Sequence, residues 1–427
     1  MLREILNTIW TKIASAIIAL CILILTTQYL GADGRGLVSL ISSCVGIIVI
    51  FAGFVGGPAV VYLASKKKLQ YLLLPIYGWT VFIAILGAGI VWFFQIMPPT
   101  YILPIAILSI ASSVYVTNFY VLVGNQKVQF NNFIYLFQWI VNLTALSFFF
   151  ILLNQPSVEC AIIAIFISYI CDLVLTFYAI QQIIKLTPFD LTEQILVVKS
   201  LVSFSFFAQA AAVMWYLNYR LGIFALNIFS GLSEVGIYSV GVNLAEFILL
   251  ASQSIALVGY SRISNTDNQE YSREITIKLT KVGFLLTICT TLILLLLPPE
   301  IYGIVFGSDF SSVPAVLLTM SPGIIAFGSS IIIFNFFAGI GKNRVNAFAA
   351  FVGLLSNILL CFLLIPIYGL YGAGITASVS FILMSGVLIW MFLRETNTRF
   401  EELMIKRGDV DYLYIQFREL TGSNKGK

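Results

Sequence analysis

Apolar runs of about 20 residues recur along this chain, each long enough to cross the hydrocarbon core of a bilayer. They fall at 10–30, 37–64, 71–96, 101–124, 131–153, 158–181, 200–229, 235–262, 276–297, 311–339, 345–366 and 370–393, twelve in all. Inside lipid a spanning segment must satisfy its own backbone polar groups, so each run is expected to be a helix. A composition of 60% hydrophobic and 10% charged residues, with a mean hydropathy of +1.00, fits no soluble domain. The expected fold class is an all-α polytopic membrane protein. Ile13 to Leu30 has a basic start but no small-x-small cleavage site, so it reads as a retained first span.

Basic residues set the orientation. Arg3 and Lys12 open the chain, Lys66, Lys67 and Lys68 follow the second run, and Lys127 follows the fourth. Lys185 and Lys199 flank the loop after the sixth, and Lys342 and Arg344 follow the tenth. All but two of the 23 basic residues fall on one side, which predicts that both termini are cytoplasmic. The two left over are Arg35 and Arg220. Residues 182–199 form the longest loop on that side and read as a cytoplasmic linker. It divides an N-terminal six-helix lobe (1–181) from a C-terminal one (200–394), ahead of a charged cytoplasmic tail (395–427). The tail is read as an amphipathic segment along the membrane surface.

The halves resemble each other. DGRGLVSL at 33–40 aligns with SEVGIYSV at 233–240, and Lys127, Asn131 and Asn142 recur as Lys342, Asn346 and Asn357. A tandem repeat with an even number of spans gives two lobes in the same orientation around a central cavity, a common plan for transporters.

Arg220 is the one charge inside the seventh run, where a central charge costs about 2.5–3.5 kcal/mol on insertion scales. Gln209, Tyr216, Arg220 and Asn227 share one helix face. A tie to a neighbouring helix would explain such an arginine; so would a cavity, and intramembrane charges usually mark substrate or ion paths. Polar stripes in both halves favour the cavity: Asn131, Tyr135, Gln138 and Asn142 in the fifth run, Asn346 and Asn357 in the eleventh. Tyr216, Arg220, Asn227, Asn142 and Asn357 are the candidate substrate contacts. Asp172 and Glu246 are candidates for charge pairing with Arg220 or for carrying a coupling proton.

Several classes fall away. Histidine is absent, which removes the usual general base and the commonest metal ligand. The six cysteines lie inside apolar runs without metal or disulfide spacing. No nucleotide-binding loop or channel-filter motif appears. Asp409-Val-Asp411 has no nucleotide-binding fold around it. No enzyme activity, metal, cofactor or nucleic-acid partner is expected.

LGADGRGL at 30–37, VGIYSVGVNLAE at 235–246 and NRVNAFAAFVGLLSNILLCFLLIPIYGLYGAGITAS at 343–378 resemble polysaccharide and O-antigen exporters. These are flippases of the multidrug/oligosaccharidyl-lipid/polysaccharide exporter superfamily. The resemblance implies twelve helices in two lobes and alternating access. The implied substrate is an undecaprenyl-pyrophosphate-linked oligosaccharide of O-antigen, capsule or exopolysaccharide, moved across the bacterial inner membrane in polysaccharide or lipopolysaccharide biosynthesis. It puts Asp33 and Arg35 in an outer-loop motif. The implied partners are the lipid-linked oligosaccharide, membrane lipids and glycan polymerase machinery. Many members carry an acid two residues after the span-seven arginine, where this chain has Gly222; that leaves the partner of Arg220 open. The competing reading is a cation-coupled multidrug exporter of the same superfamily, which an arginine-bearing cavity disfavours.

Overall fold

A computed structural model describes residues 2–64, 66–184, 191–266 and 268–405. Among these residues the secondary structure is helical, with no strand. The elements are α1 (Leu2–Ala52), α2 (Gly57–Leu63), α3 (Leu69–Phe93), α4 (Ile102–Gly124), α5 (Val128–Ser147), α6 (Val158–Gln181) and α7 (Leu191–Phe229). They continue as α8 (Leu232–Ile263), α9 (Gln269–Leu295), α10 (Pro299–Phe306), α11 (Val313–Gly339), α12 (Asn343–Thr396) and α13 (Phe400–Leu403). Among the described residues nine helices are long and apolar enough to cross a membrane. The bent stretches Gln194–Ser203 and Ala208–Phe229 of α7 make a tenth if taken as one span. The chain is a multi-span membrane protein.

The difference from the expected twelve lies in α1 and α12, which run for 51 and 54 residues. Straight helices of that length would reach about 75–80 Å, against a hydrocarbon core of ~30 Å. Each is broken at a single glycine, Gly31 (φ 64°, ψ −171°) and Gly369 (φ 51°, ψ −126°). Positive φ costs glycine nothing and other residues a good deal. Beyond the first break the Ala32 N–H donates to Asp309 Oδ2 at 3.1 Å, satisfying a donor that the break sets free. Gln28 Nε2 donates to the carbonyls of Ile304 and Val305 at 2.8 and 2.9 Å, which ties the same corner to α10. The motif expected on an outer loop is therefore helical, and Asp33 and Arg35 stand on α1.

Local chemistry accounts for two further features. Gly53 to Gly56 interrupt the second run, between α1 and α2. Pro322 lies inside α11 without breaking it. The Leu318 carbonyl that would pair four residues on accepts instead from Ser321 Oγ at 2.8 Å, and the Gly323 N–H donates to Ser378 Oγ at 2.8 Å. α7 begins at Leu191, so 191–199, the end of the expected linker, is helical. Residues 185–190 and most of the tail, with Asp409 and Asp411, lie outside the described residues.

Matched positions of the two halves make matched bonds. Asn131 Nδ2 donates to the Phe119 carbonyl at 3.5 Å, and Asn346 Nδ2 to the Phe334 carbonyl at 2.9 Å. The Lys127 N–H donates to Leu122 O and the Lys342 N–H to Phe337 O, at 2.9 and 2.8 Å. Positive φ recurs at Gly31 and Gly231, and at Asn154 and Gly369.

α7, α8, α9, α11 and α12 pack on one another, as do α1, α3, α4, α5 and α6, and α1 lies against α8. Large apolar side chains such as Leu74, Ile85, Leu318 and Phe362 face outward, as lipid-facing surfaces require. Helices in lipid associate by close packing rather than hydrophobic drive, so small residues sit where backbones approach. At the α1–α8 crossing a Cβ on Gly36 would lie 2.1 Å from the Leu232 carbonyl oxygen, and one on Gly236 2.0 Å from that of Ala32. The contact is reciprocal, like a two-fold interface between identical subunits.

Candidate functional site

Beyond that crossing lies a cavity in two connected chambers. The deep chamber, about 460 Å3, is walled by α1, α4, α5 and α6, and by α7 and α8 at Tyr216, Arg220 and Asn243. The mouth chamber, about 440 Å3, runs between the start of α1 and α8, with exposed Lys12 among its lining residues. Tyr135, Trp139, Tyr216, Arg220 and Asn243 line both.

Arg220 stands at this junction. Its Nη2 contacts Glu246 Oε1 at 2.8 Å, and its guanidinium lies 5.9 Å from the centre of the Tyr216 ring. Tyr216 is seated against α1 where Gly46 leaves room for its hydroxyl, which donates to the Ser43 carbonyl at 3.5 Å. Gly222 has no space for an acid: a Cβ there would lie 2.8 Å from the Tyr238 hydroxyl. The carboxylate comes from α8 instead, one helix away rather than two residues on. That answers the question left open by the sequence.

Arg35 lines the deep chamber as well. Its Nη1 reaches Thr26 Oγ1 at 3.3 Å, and its Nε has no hydrogen-bond partner among the described residues. Two guanidinium groups therefore serve one cavity, with one carboxylate, Glu246, between them and the mouth. Such a space attracts anions and repels cations. Sequence reasoning placed Arg35 on a loop. The signal that finds it is topological: Arg35 and Arg220 are the two basic residues that the positive-inside pattern does not use.

The other candidates scatter. Asn142 lines the deep chamber. Asn227, near the end of α7, lines neither chamber. Asn357 is buried between α12 and α7, where its Nδ2 donates to the Asn218 carbonyl at 3.0 Å; it is helix-to-helix glue. Asp33 is exposed on α1. Asp172 is fully buried on α6, and neither carboxylate oxygen has a hydrogen-bond partner among the described residues. It makes no ion pair with Arg220 in this conformation, whose partner is Glu246. Next to it Thr176 Oγ1 accepts from Asn118 Nδ2 at 3.1 Å, and Asn118 Oδ1 accepts from the Tyr77 hydroxyl at 2.5 Å.

No protein-family model matches the chain. Among curated proteins it is 24% identical over 186 residues to a probable low-salt glycan biosynthesis flippase of Haloferax volcanii, 43% of this chain and 39% of that one. It is 26% identical over 157 residues to a capsular polysaccharide biosynthesis protein of Staphylococcus aureus, 36% of this chain and 39% of that one. These matches thus span about two-fifths of the relatives' lengths. Among solved structures, the lipid II flippase MurJ in an inward closed conformation superposes with a TM-score of 0.73 at 15% identity, over 100% of this chain and 94% of that one. An inward-facing multidrug resistance MATE family transporter of the MOP superfamily superposes with a TM-score of 0.70 at 12% identity, over 90% and 94%. These structural likenesses are of fold, and the neighbours are transporters and flippases rather than enzymes. The chain thus shares the fold of MOP-superfamily transporters and, over part of its length, sequence similarity with proteins of glycan and capsule biosynthesis.

Proposed function

We propose that the chain flips an undecaprenyl-pyrophosphate-linked oligosaccharide, a repeat unit of O-antigen, capsule or exopolysaccharide, across the bacterial inner membrane by alternating access. One observation carries the reading: a cavity that presents Arg35 and Arg220, with Glu246 the one carboxylate among its described lining residues. A diphosphate head group needs cations that keep their charge when desolvated. Guanidinium does so, and its planar fork matches phosphate oxygens. Deleting the gene is expected to stop assembly of one surface glycan while drug sensitivity stays unchanged. Normal glycan with raised drug sensitivity would replace this reading with the second one, a cation-coupled multidrug exporter. The observation favouring that second reading is Asp172, a buried carboxyl without a partner that is suited to carrying a coupling cation.

Twelve crossings in two six-helix lobes follow if α1 is divided at Gly31 and α12 at Gly369. Gly31 matches Gly231, at the α7–α8 connection, and Gly369 matches Asn154, between α5 and α6. Both termini are then cytoplasmic, and the crossing of Gly36 with Gly236 closes the outer end. Glycan polymerase machinery would meet the cargo there. Reporter tags at Lys67 and Ser264 should read as cytoplasmic, and tags at Asp33 and Ser308 as external. An external Ser264 would reverse the whole orientation.

A further inference from the structure

Four side chains on the wall of the deep chamber each keep one buried polar atom that no group among the described residues satisfies. They are Arg35 Nε, Tyr115 Oη, Trp139 Nε1 and Asn142 Oδ1. Buried polar atoms are almost always paired, so four on one chamber need a reason. Asn142 and Trp139 lie one turn apart on the face of α5 that also carries Tyr135, and Tyr115 belongs to α4 across the chamber.

Their chemistry narrows the ligand. Arg35 Nε and Trp139 Nε1 only donate, Asn142 Oδ1 only accepts, and the Tyr115 hydroxyl does both. A diphosphate accepts but does not donate, so it leaves Asn142 unsatisfied. A cationic drug donates but does not accept, and two arginines repel it. Ring hydroxyls of a saccharide donate and accept, several of them at fixed spacing on one rigid frame. The indole of Trp139, edge-on to Tyr135 with ring centres 6.4 Å apart, offers an electron-rich face to the C–H face of such a ring.

We infer that the deep chamber is a saccharide subsite, in which Asn142, Tyr115 and Trp139 read the sugar nearest the diphosphate while Arg220 holds the diphosphate at the junction of the chambers. The inference rests on the flippase reading and adds to it a set of residues that select the glycan. It also orders the cargo: sugar deep, diphosphate at the junction, lipid toward the mouth between α1 and α8.

The test compares ligands with and without sugar on the full-length protein in lipid nanodiscs. The probes are farnesyl diphosphate and its esters with N-acetylglucosamine, N-acetylgalactosamine, galactose and glucuronic acid. At least one sugar should tighten binding by roughly tenfold over farnesyl diphosphate, the scale of one or two buried hydrogen bonds. Trp139→Ala and Asn142→Ala should each bring that ratio close to unity, with wild-type thermal stability and a monodisperse elution profile showing that they fold. Trp139→Phe, which keeps a ring and loses the donor, should fall between. If no sugar tightens binding, or if both alanine variants keep the ratio, the subsite is overturned. Farnesyl diphosphate binding that depends on Arg220 while sugars make no difference sinks the subsite alone. Absence of any binding, in wild type and Arg220→Ala alike, removes the flippase reading with it.

Discussion

Arg220→Ala should abolish glycan export while the protein stays in the membrane at normal abundance. Removing one member of a buried, hydrogen-bonded charge pair costs about 2–5 kcal/mol in binding, roughly thirty-fold to a few thousand-fold in affinity. Arg220→Lys should recover only part of the activity, since an ammonium is a point charge without the planar fork. The single alanine variant strands the Glu246 carboxylate, which alone could harm the fold, so the informative comparison includes the Arg220→Ala/Glu246→Gln double variant. Loss of export in both, with both proteins present, assigns the effect to anion binding. Arg35→Ala should behave alike, because Arg35 lines the same chamber and, among the described residues, its guanidinium hydrogen-bonds Thr26 alone. The readout is surface glycan in a deletion strain carrying each variant. Normal export by Arg220→Ala would make the residue a packing tie.

Gly36→Ala should be nearly as damaging, although only a single methyl is added, at the residue after Arg35. A Cβ 2.1 Å from a carbonyl oxygen cannot be accommodated by rotating a side chain; one backbone has to move. Overpacking of this kind costs about 1–3 kcal/mol, enough to invert a conformational equilibrium poised within that range. Spin labels on Asp33→Cys and Ser233→Cys, in a background without the native cysteines, report the separation of α1 and α8. Gly36→Ala should move most of the population to longer distances and lower export roughly tenfold or more. Gly236→Ala should do the same, and the double variant should be little worse than either, since both methyls force open one contact. An unchanged distance distribution with normal export would show that the crossing does not have to open and close.

Much of this was legible in the sequence, and its failures have causes. Helices were readable because lipid leaves a spanning chain no alternative. Arg220 was readable because a lone charge in an apolar run must be met by something. Its partner was not, because Glu246 arrives from another helix and sequence spacing does not measure distances across helices. The family resemblance set Arg35 in an outer-loop motif, whereas the chain spends only one residue, Gly31, on the break and is helical again by Ala32. The Asn142 and Asn357 pair marks the limit of repeat reasoning. The two stand at matched positions, yet one lines a chamber and the other binds the Asn218 carbonyl. A repeat transmits backbone geometry faithfully, as the bonds of Asn131 and Asn346 show. What a side chain meets depends on the neighbouring helix, which the repeat does not specify.

The reciprocal crossing of α1 and α8 also limits how the molecule can move. Whatever separates Gly36 from Leu232 separates Gly236 from Ala32 by a similar amount, because the same two rigid helices carry both contacts. That end of the structure therefore has, to a first approximation, a single degree of freedom. Glycine backbones in contact this close gain nothing from a small gap, since dispersion fades within an ångström and the space is too narrow for lipid or water. A partial opening is the least favourable arrangement, lying between a closed state held by contact and an open one refilled by solvent. In the alternating-access reading proposed above, such a joint would be bistable and would give a carrier two positions without a relay of side chains between the cavity and its far end.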